Sequence, residues 1–310
     1  MNRNIKYLKI IGLAGFLYLW AVPATGKNND KSVTINTNGS KFVIPLIEKW
    51  TEEYKKIRPD VTFNIVDKTE TASLSVVISQ PDEGEPDKTV AFAGRYVLLP
   101  IGHPENPIVK SSKGLNRKEL KDILFEKDLL DDDGEPQKAR YKVNVYTRVN
   151  NKNGADVVLA QYFNAKKNRI KGRKLYGDEV YILNAINKDA TGIAYANLSY
   201  IFDLNTRRLK PELSLLPLNI KSRHKEKLYS EDADQVIRLL EEEEIDLIPV
   251  VRFGFETEKD HTGEAAGFVK WILTRGQEYN HAFGFLRLDE TTLARQNGFL
   301  QNENRHVSLR

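Results

Sequence analysis

The sequence predicts an α/β fold. Strand-like apolar segments alternate with amphipathic helical segments along most of the chain, the pattern of parallel strands joined by helices. At 310 residues, against a usual domain size of roughly 100–200, the chain is long enough for one large domain or two smaller ones. A 40% hydrophobic content with 13 Tyr and 13 Phe, beside 29% charged residues and a mean hydropathy of -0.49, describes a globular protein with a well-solvated surface.

The first 26 residues stand apart. Arg3, Lys6 and Lys9 form a positive n-region, Ile10 to Val22 an apolar h-region of 13 residues, and Ala24 and Gly26 offer small residues for cleavage. This predicts a secretory signal peptide. An uncleaved anchor is the competing reading, and it wants about 20 apolar residues. No later stretch is long and apolar enough to span a bilayer. The absence of cysteine excludes a lipoprotein anchor, disulfides and thiolate metal sites, so the expected location is the periplasm. Without the leader, Lys+Arg falls from 47 to 44 against 43 acids and the net charge from +4 to about +1. No concentrated basic face remains for nucleic acid.

In chain order, "SVTINT" (32–37) reads as a strand, and Val43, Leu46, Ile47, Trp50, Tyr54 and Ile57 recur at helical spacing. The segments 61–66, 73–79 and 96–103 read as strands, with the acidic "QPDEGEPDK" between the last two as a surface loop. "LNRKELKDILFEKD" predicts a helix, "YKVNVYTR" a strand, "GADVVLAQYFNA" a helix and "GIAYANLSYIFD" a buried, mixed segment. "DADQVIRLLEEEEIDLIPVVRFGFE" predicts a charged helix and a strand, and "AAGFVKWILTRGQEYNHAFGF" a final helical region.

Four of these segments resemble, in the same order, the periplasmic phosphate-binding proteins that feed ABC importers, within the type II periplasmic-binding-protein superfamily. They are "GSKFVIPLIEKWTEEYKK", "LNRKELKDILFEK", "ATGIAYANLSYI" and "AAGFVKWILTRGQEYNHAFGF". The resemblance implies a two-lobed type II periplasmic-binding-protein fold with a hinge and a central ligand cleft. Its implied organisation is a signal peptide at 1–26, the first part of lobe I at 27–100, lobe II at 101–249, and a return crossing with the C-terminal part of lobe I at 250–310. "YVLLPIGH" and "LIPVVRF" are the expected crossings, around which the cleft closes on its ligand.

An oxyanion taken out of water needs many donors, which helix N-termini supply through free N–H groups and the positive end of the macrodipole. Ser40, with the N–H groups of Lys41 and Phe42 behind it, meets that need. A plain helix cap by Ser40, with Lys41 in solvent, is the alternative. Arg148 at a strand end, then a polar turn with Asn150 and Asn153 and a helix start near Gly154, offers a bidentate guanidinium and a second set of N–H groups.

The chain departs from the family in two places. Asn150 to Ala155 replace a Ser-Gly-Thr-type turn, and no aspartate follows Asp67 where the family holds a buried acceptor for protonated phosphate. Thr69, Thr71, Ser73 or Ser75 are the candidate substitutes there, with Thr71 retained as a ligand contact.

Other patterns point elsewhere than to chemistry. "DDDGEP" (131–136) lacks the remaining calcium-loop ligands, and "EEEE" (241–244) reads as a solvated helix face or end. The five histidines show no metal-ligand spacing, and no nucleophile elbow or P-loop occurs. Trp50 and Trp271 read as core.

The expected function is therefore capture of phosphate or a similar oxyanion, without catalysis or cofactor, for an inner-membrane ABC permease. The alternative is a ligand-less periplasmic interaction protein of another envelope transport complex that retains the fold.

Overall fold

The computed structural model describes residues 31–69, 71–79, 89–111, 113–126, 141–148, 154–257 and 263–296. The predicted leader, the "QPDEGEPDK" and "DDDGEP" loops, Asn150 and Asn153 all lie outside the described residues.

The chain opens with β1 (Ser32–Asn36), one 3-10 turn (Lys41–Val43) and α1 (Ile44–Ile57). Pro45 has no N–H to return to the carbonyl of Lys41, so the α ladder starts beside it and a tighter turn precedes it. Then come β2 (Thr62–Val66), β3 (Leu74–Ser79) and the long β4 (Thr89–Gly102). α2 (Arg117–Leu124) starts at a reciprocal capping box between Asn116 and Glu119. β5 (Asn144–Arg148), α3 (Ala155–Tyr162), β6 (Arg173–Leu175) and α4 (Val180–Asn187) continue the alternation.

"GIAYANLSYI" divides into the fully buried β7 (Gly192–Asn197) and the short α5 (Leu198–Ile201), because Asn197 Oδ1 accepts from the Ser199 N–H at 3.1 Å and caps the turn. β8 (Phe202–Asp203), β9 (Arg208–Leu209) and β10 (Ser214–Leu215) lead to α6 (Ser222–Leu228) and α7 (Ala233–Glu242). β11 (Val250–Thr257) and α8 (Gly263–Thr274) follow. Among the described residues no helix is long and apolar enough to cross a membrane.

Among the same residues a nine-stranded sheet runs β2-β1-β3-β11-β4-β7-β5-β6, with β10 added on β4. Parallel triplets form its two ends, β2-β1-β3 and β7-β5-β6, and the antiparallel pair β11-β4 joins them. β4 makes the passage itself: it pairs with β11 up to Val97 and with β7 from Leu98 onward. Both strand segments expected as crossings thus lie at the junction of the triplets.

The β11 register shifts between Phe253 and Gly254, and a Cβ on Gly254 would stand 2.1 Å from the Ala91 carbonyl oxygen. Only glycine fits that approach. Against this sheet α1 buries Leu46, Ile47, Trp50 and Tyr54, while α8 buries Phe268 and Ile272. Trp50 and Trp271 are core residues, as their helical spacing indicates.

Candidate functional site

The first candidate segment is a turn wired to its neighbours. Asn38 and Gly39 both have positive φ (49° and 75°), and the Ser40 N–H returns to the Thr37 carbonyl at 2.8 Å, closing an Asn-Gly turn at the end of β1. Asn38 Nδ2 donates to the Val76 carbonyl and Asn36 Nδ2 to the Thr69 carbonyl, so the turn is fixed to β3 and to the connection before it.

Asp67 holds the turn from below: its Oδ1 accepts from Thr37 Oγ1 at 3.0 Å and from the Gly39 N–H at 2.9 Å. Ser40 is fully buried, and its side chain does not cap the following turn. The simple helix-cap reading of Ser40 is therefore not what its geometry supports. Lys41 is exposed. Phe42 is buried against Tyr96 and Phe285, at ring-centroid distances of 5.0 and 6.0 Å. Its side chain anchors the helix start, which leaves only its backbone N–H to face a ligand.

The second segment meets the first. Arg148, the last residue of β5, is 9% exposed. Its Nη2 donates to the Gly39 carbonyl at 3.0 Å and its Nε to the Gly177 carbonyl at 2.8 Å. The guanidinium thus spans residues 109 positions apart, from the end of one parallel triplet to the turn that ends the first strand of the other. The C-terminal ends of parallel strands are where open α/β sheets hold ligands. Gly154 is the buried N-cap residue of α3. Thr71 is exposed, and its bonds stay within its own loop: its N–H donates to Thr69 Oγ1, which in turn donates to the Thr71 carbonyl.

Three carboxylates near these donors were not picked out from the sequence. Asp67 takes the Gly39 N–H. Asp156, in the first turn of α3, is 1% exposed and lies 3.2 Å from Lys167. Glu179, just before α4, is 5% exposed and accepts the Asn197 N–H at 2.6 Å. Burial pushes the Glu179 carboxyl up to about 7; the Asn197 N–H and the Arg148 charge pull against this, and Asp178 adds to it. The only sequence signal for Asp156 and Glu179 is an acid near the start of a helix, which ordinarily means a dipole partner.

The raised Glu179 value carries a sign for stability. Between its ordinary 4.5 and about 7 the folded chain holds a proton that the unfolded chain has released, so stability falls as pH rises through that window. Glu179→Gln is expected to be near neutral below pH 4.5. At pH 8 it is expected to raise stability by up to about 3 kcal/mol, read as melting temperature by calorimetry at both pH values.

One further expectation meets the structure differently. The "EEEE" run ends α7, and its first residue is not a solvated acid: Glu241 Oε1 lies 2.8 Å from His281 Nε2 and accepts the Arg287 N–H. Among the described residues no group of three His, Cys, Asp or Glu is placed to hold a metal ion.

No protein-family model matches the chain, and no curated protein matches it by sequence. Solved structures do match. A provisionally assigned phosphate ABC transporter substrate-binding protein with bound phosphate from Clostridium perfringens superposes with a TM-score of 0.55 at 16% identity, over 83% of this chain and 100% of that one. An ABC-type phosphate transport receptor from Vibrio cholerae gives 0.53 at 12% identity, over 83% and 100%. A provisionally assigned phosphate-binding protein from Planctomyces limnophilus gives 0.52 at 13% identity, over 88% and 98%. The fold is thus the two-lobed α/β fold of type II periplasmic binding proteins, as the four sequence segments imply. At these identities the likeness defines the architecture, and the ligand has to be argued from the site.

Proposed function

We propose that the chain is an exported solute-binding protein that captures phosphate or a related small oxyanion and delivers it to an inner-membrane ABC permease. One observation carries this reading: Arg148 reaches the Gly39 carbonyl, which brings the two donor-bearing segments together. Such a site offers a guanidinium fork, the helix-start N–H groups of Lys41 and Phe42, and the Gly154 end of α3, a donor set suited to a desolvated oxyanion. Ser40, Asn150 and Asn153 complete the proposed contacts, with Thr71 at the rim. The proposed lobes are 27–100 with 250–310, and 101–249, which sets their junction within two to four residues of the partner change in β4. The neighbours of this fold are binding proteins, which supports binding without catalysis.

The carboxylates favour a second reading. Asp67 and Glu179 each accept a backbone N–H and Asp156 is buried in the first turn of α3, so acids of the chain already stand at these positions, as in a protein that keeps the fold and no longer needs an external anion. Such a chain would serve as an interaction or accessory protein of an envelope transport complex.

Isothermal titration of the mature, phosphate-stripped protein with phosphate, and with sulfate for comparison, separates the two. The expected result is phosphate binding in the micromolar range or tighter. Absence of heat with either ion, in a protein shown to be folded, would move the assignment to the interaction protein.

A further inference from the structure

Glu179 and Asn197 together leave a chemical demand that the fold itself does not meet. Asn197 is 1% exposed, and its side-chain orientation is fixed because Oδ1 accepts the Ser199 N–H at 3.1 Å. Its Nδ2 is buried with no hydrogen-bond partner, at the residue whose backbone N–H holds Glu179. An orphaned buried donor is costly and asks for an acceptor. Arg148 donates to the Gly177 carbonyl two residues before Glu179, and the groups that interact electrostatically with this carboxyl are Arg148 from β5, Tyr96 from β4, Tyr200 from α5 and Asp178 beside it in the chain. Arg148 is the one cation in that set, and it is the residue on which the oxyanion reading depends.

An oxyanion arriving at Arg148 brings a second negative charge close to a buried carboxylate. Two like charges in so dry a site cannot both persist, and the group that can yield is the carboxyl, by taking a proton. The orphan amide then has its acceptor and the guanidinium a single anion to neutralise.

We propose that Asn197 and Glu179 are further residues of the oxyanion site, Asn197 donating its side-chain N–H to the bound anion and Glu179 taking one proton from solvent as the anion enters. Capture is thereby coupled to protonation, and affinity falls as the medium becomes alkaline. This rests on the oxyanion reading above.

The test is phosphate titration of native protein and Glu179→Gln at pH 5.5 and pH 8. The amide side chain of that variant keeps an acceptor for the Asn197 N–H, and the ionisation of phosphate is common to both proteins, so it cancels in the ratio of their affinities. The expected ratio is near one at pH 5.5, with the native protein about tenfold weaker than the variant at pH 8. Repeating the pH 8 titration in buffers of different ionisation enthalpy should show the native protein taking up close to one proton more per phosphate than the variant. A ratio that does not change with pH overturns this proposal and leaves the oxyanion reading standing. No phosphate binding by either protein at either pH overturns both. Asn197→Ser, which keeps a hydroxyl acceptor for the Ser199 N–H, adds no charge and withdraws the amide N–H, is expected to bind at least tenfold more weakly at pH 5.5. Unchanged affinity in that variant removes Asn197 from the site.

Discussion

Arg148→Ala is expected to weaken phosphate binding by at least about tenfold and to lower stability by about 2–3 kcal/mol. Both effects have the same origin. The guanidinium donates to the Gly39 and Gly177 carbonyls and is nearly buried, so its removal strips two acceptors of charge-assisted bonds and removes the cation that an oxyanion must meet. Arg148→Lys separates the two contributions. A lysine restores the charge without the planar fork, and it cannot hold both carbonyls in one geometry. It should therefore recover part of the affinity and little of the rigidity of the turn. Titration calorimetry of each folded variant, with urea denaturation beside it, reads both quantities. Affinity unchanged by Arg148→Ala would take the residue out of the pocket and leave it a tie between two loops.

Much of the fold could be read from the chain because its signals are local. The helix of 117–124 was visible in "LNRKELKDIL" through its apolar spacing, and β4 and β11 through their largely apolar segments, since both follow from patterns over a few residues. Arg148 at a strand end and Gly39 in a turn were legible for the same reason, although the bond between them, across 109 residues, was not.

Asp67 and Glu179 escaped because a carboxylate's role is set by what tertiary approach brings to it. Asp67 meets the Gly39 N–H from 28 residues away, and Glu179 meets the Asn197 N–H from 18. In sequence the first looks like a loop acid and the second like an ordinary helix-start charge. Glu241 illustrates the same limit: within "EEEE" nothing distinguishes the residue that His281 approaches from those beside it. Burial, which decides whether a charge is solvated or consequential, is not written in a charge run.

Trp50→Ala is expected to cost about 4–5 kcal/mol, a large part of the 5–15 kcal/mol that typically holds a domain folded. Trp50 is fully buried on α1, with Phe253 and Phe255 of β11 at ring-centroid distances of 6.4 and 6.3 Å. Its Nε1 donates to the Gly276 carbonyl at 2.8 Å, joining the first helix to a turn 226 residues later. Alanine leaves a cavity the size of an indole and an unpaired buried carbonyl, two penalties that add because the rings around it are held by the sheet. The melting temperature should fall by about 10 °C or more. Trp50→Phe divides the effect, since it retains ring packing and loses only the N–H, for about 1–3 kcal/mol. The consequence reaches the site through Phe42, which packs on Phe285, itself 5.0 Å from Phe253 in the same aromatic cluster. Phosphate affinity in the folded fraction of Trp50→Ala should therefore drop together with stability. A variant that unfolds more easily yet binds phosphate as tightly as the native chain would show that Asp67 and Arg148 hold the Gly39 turn without support from the core beneath it.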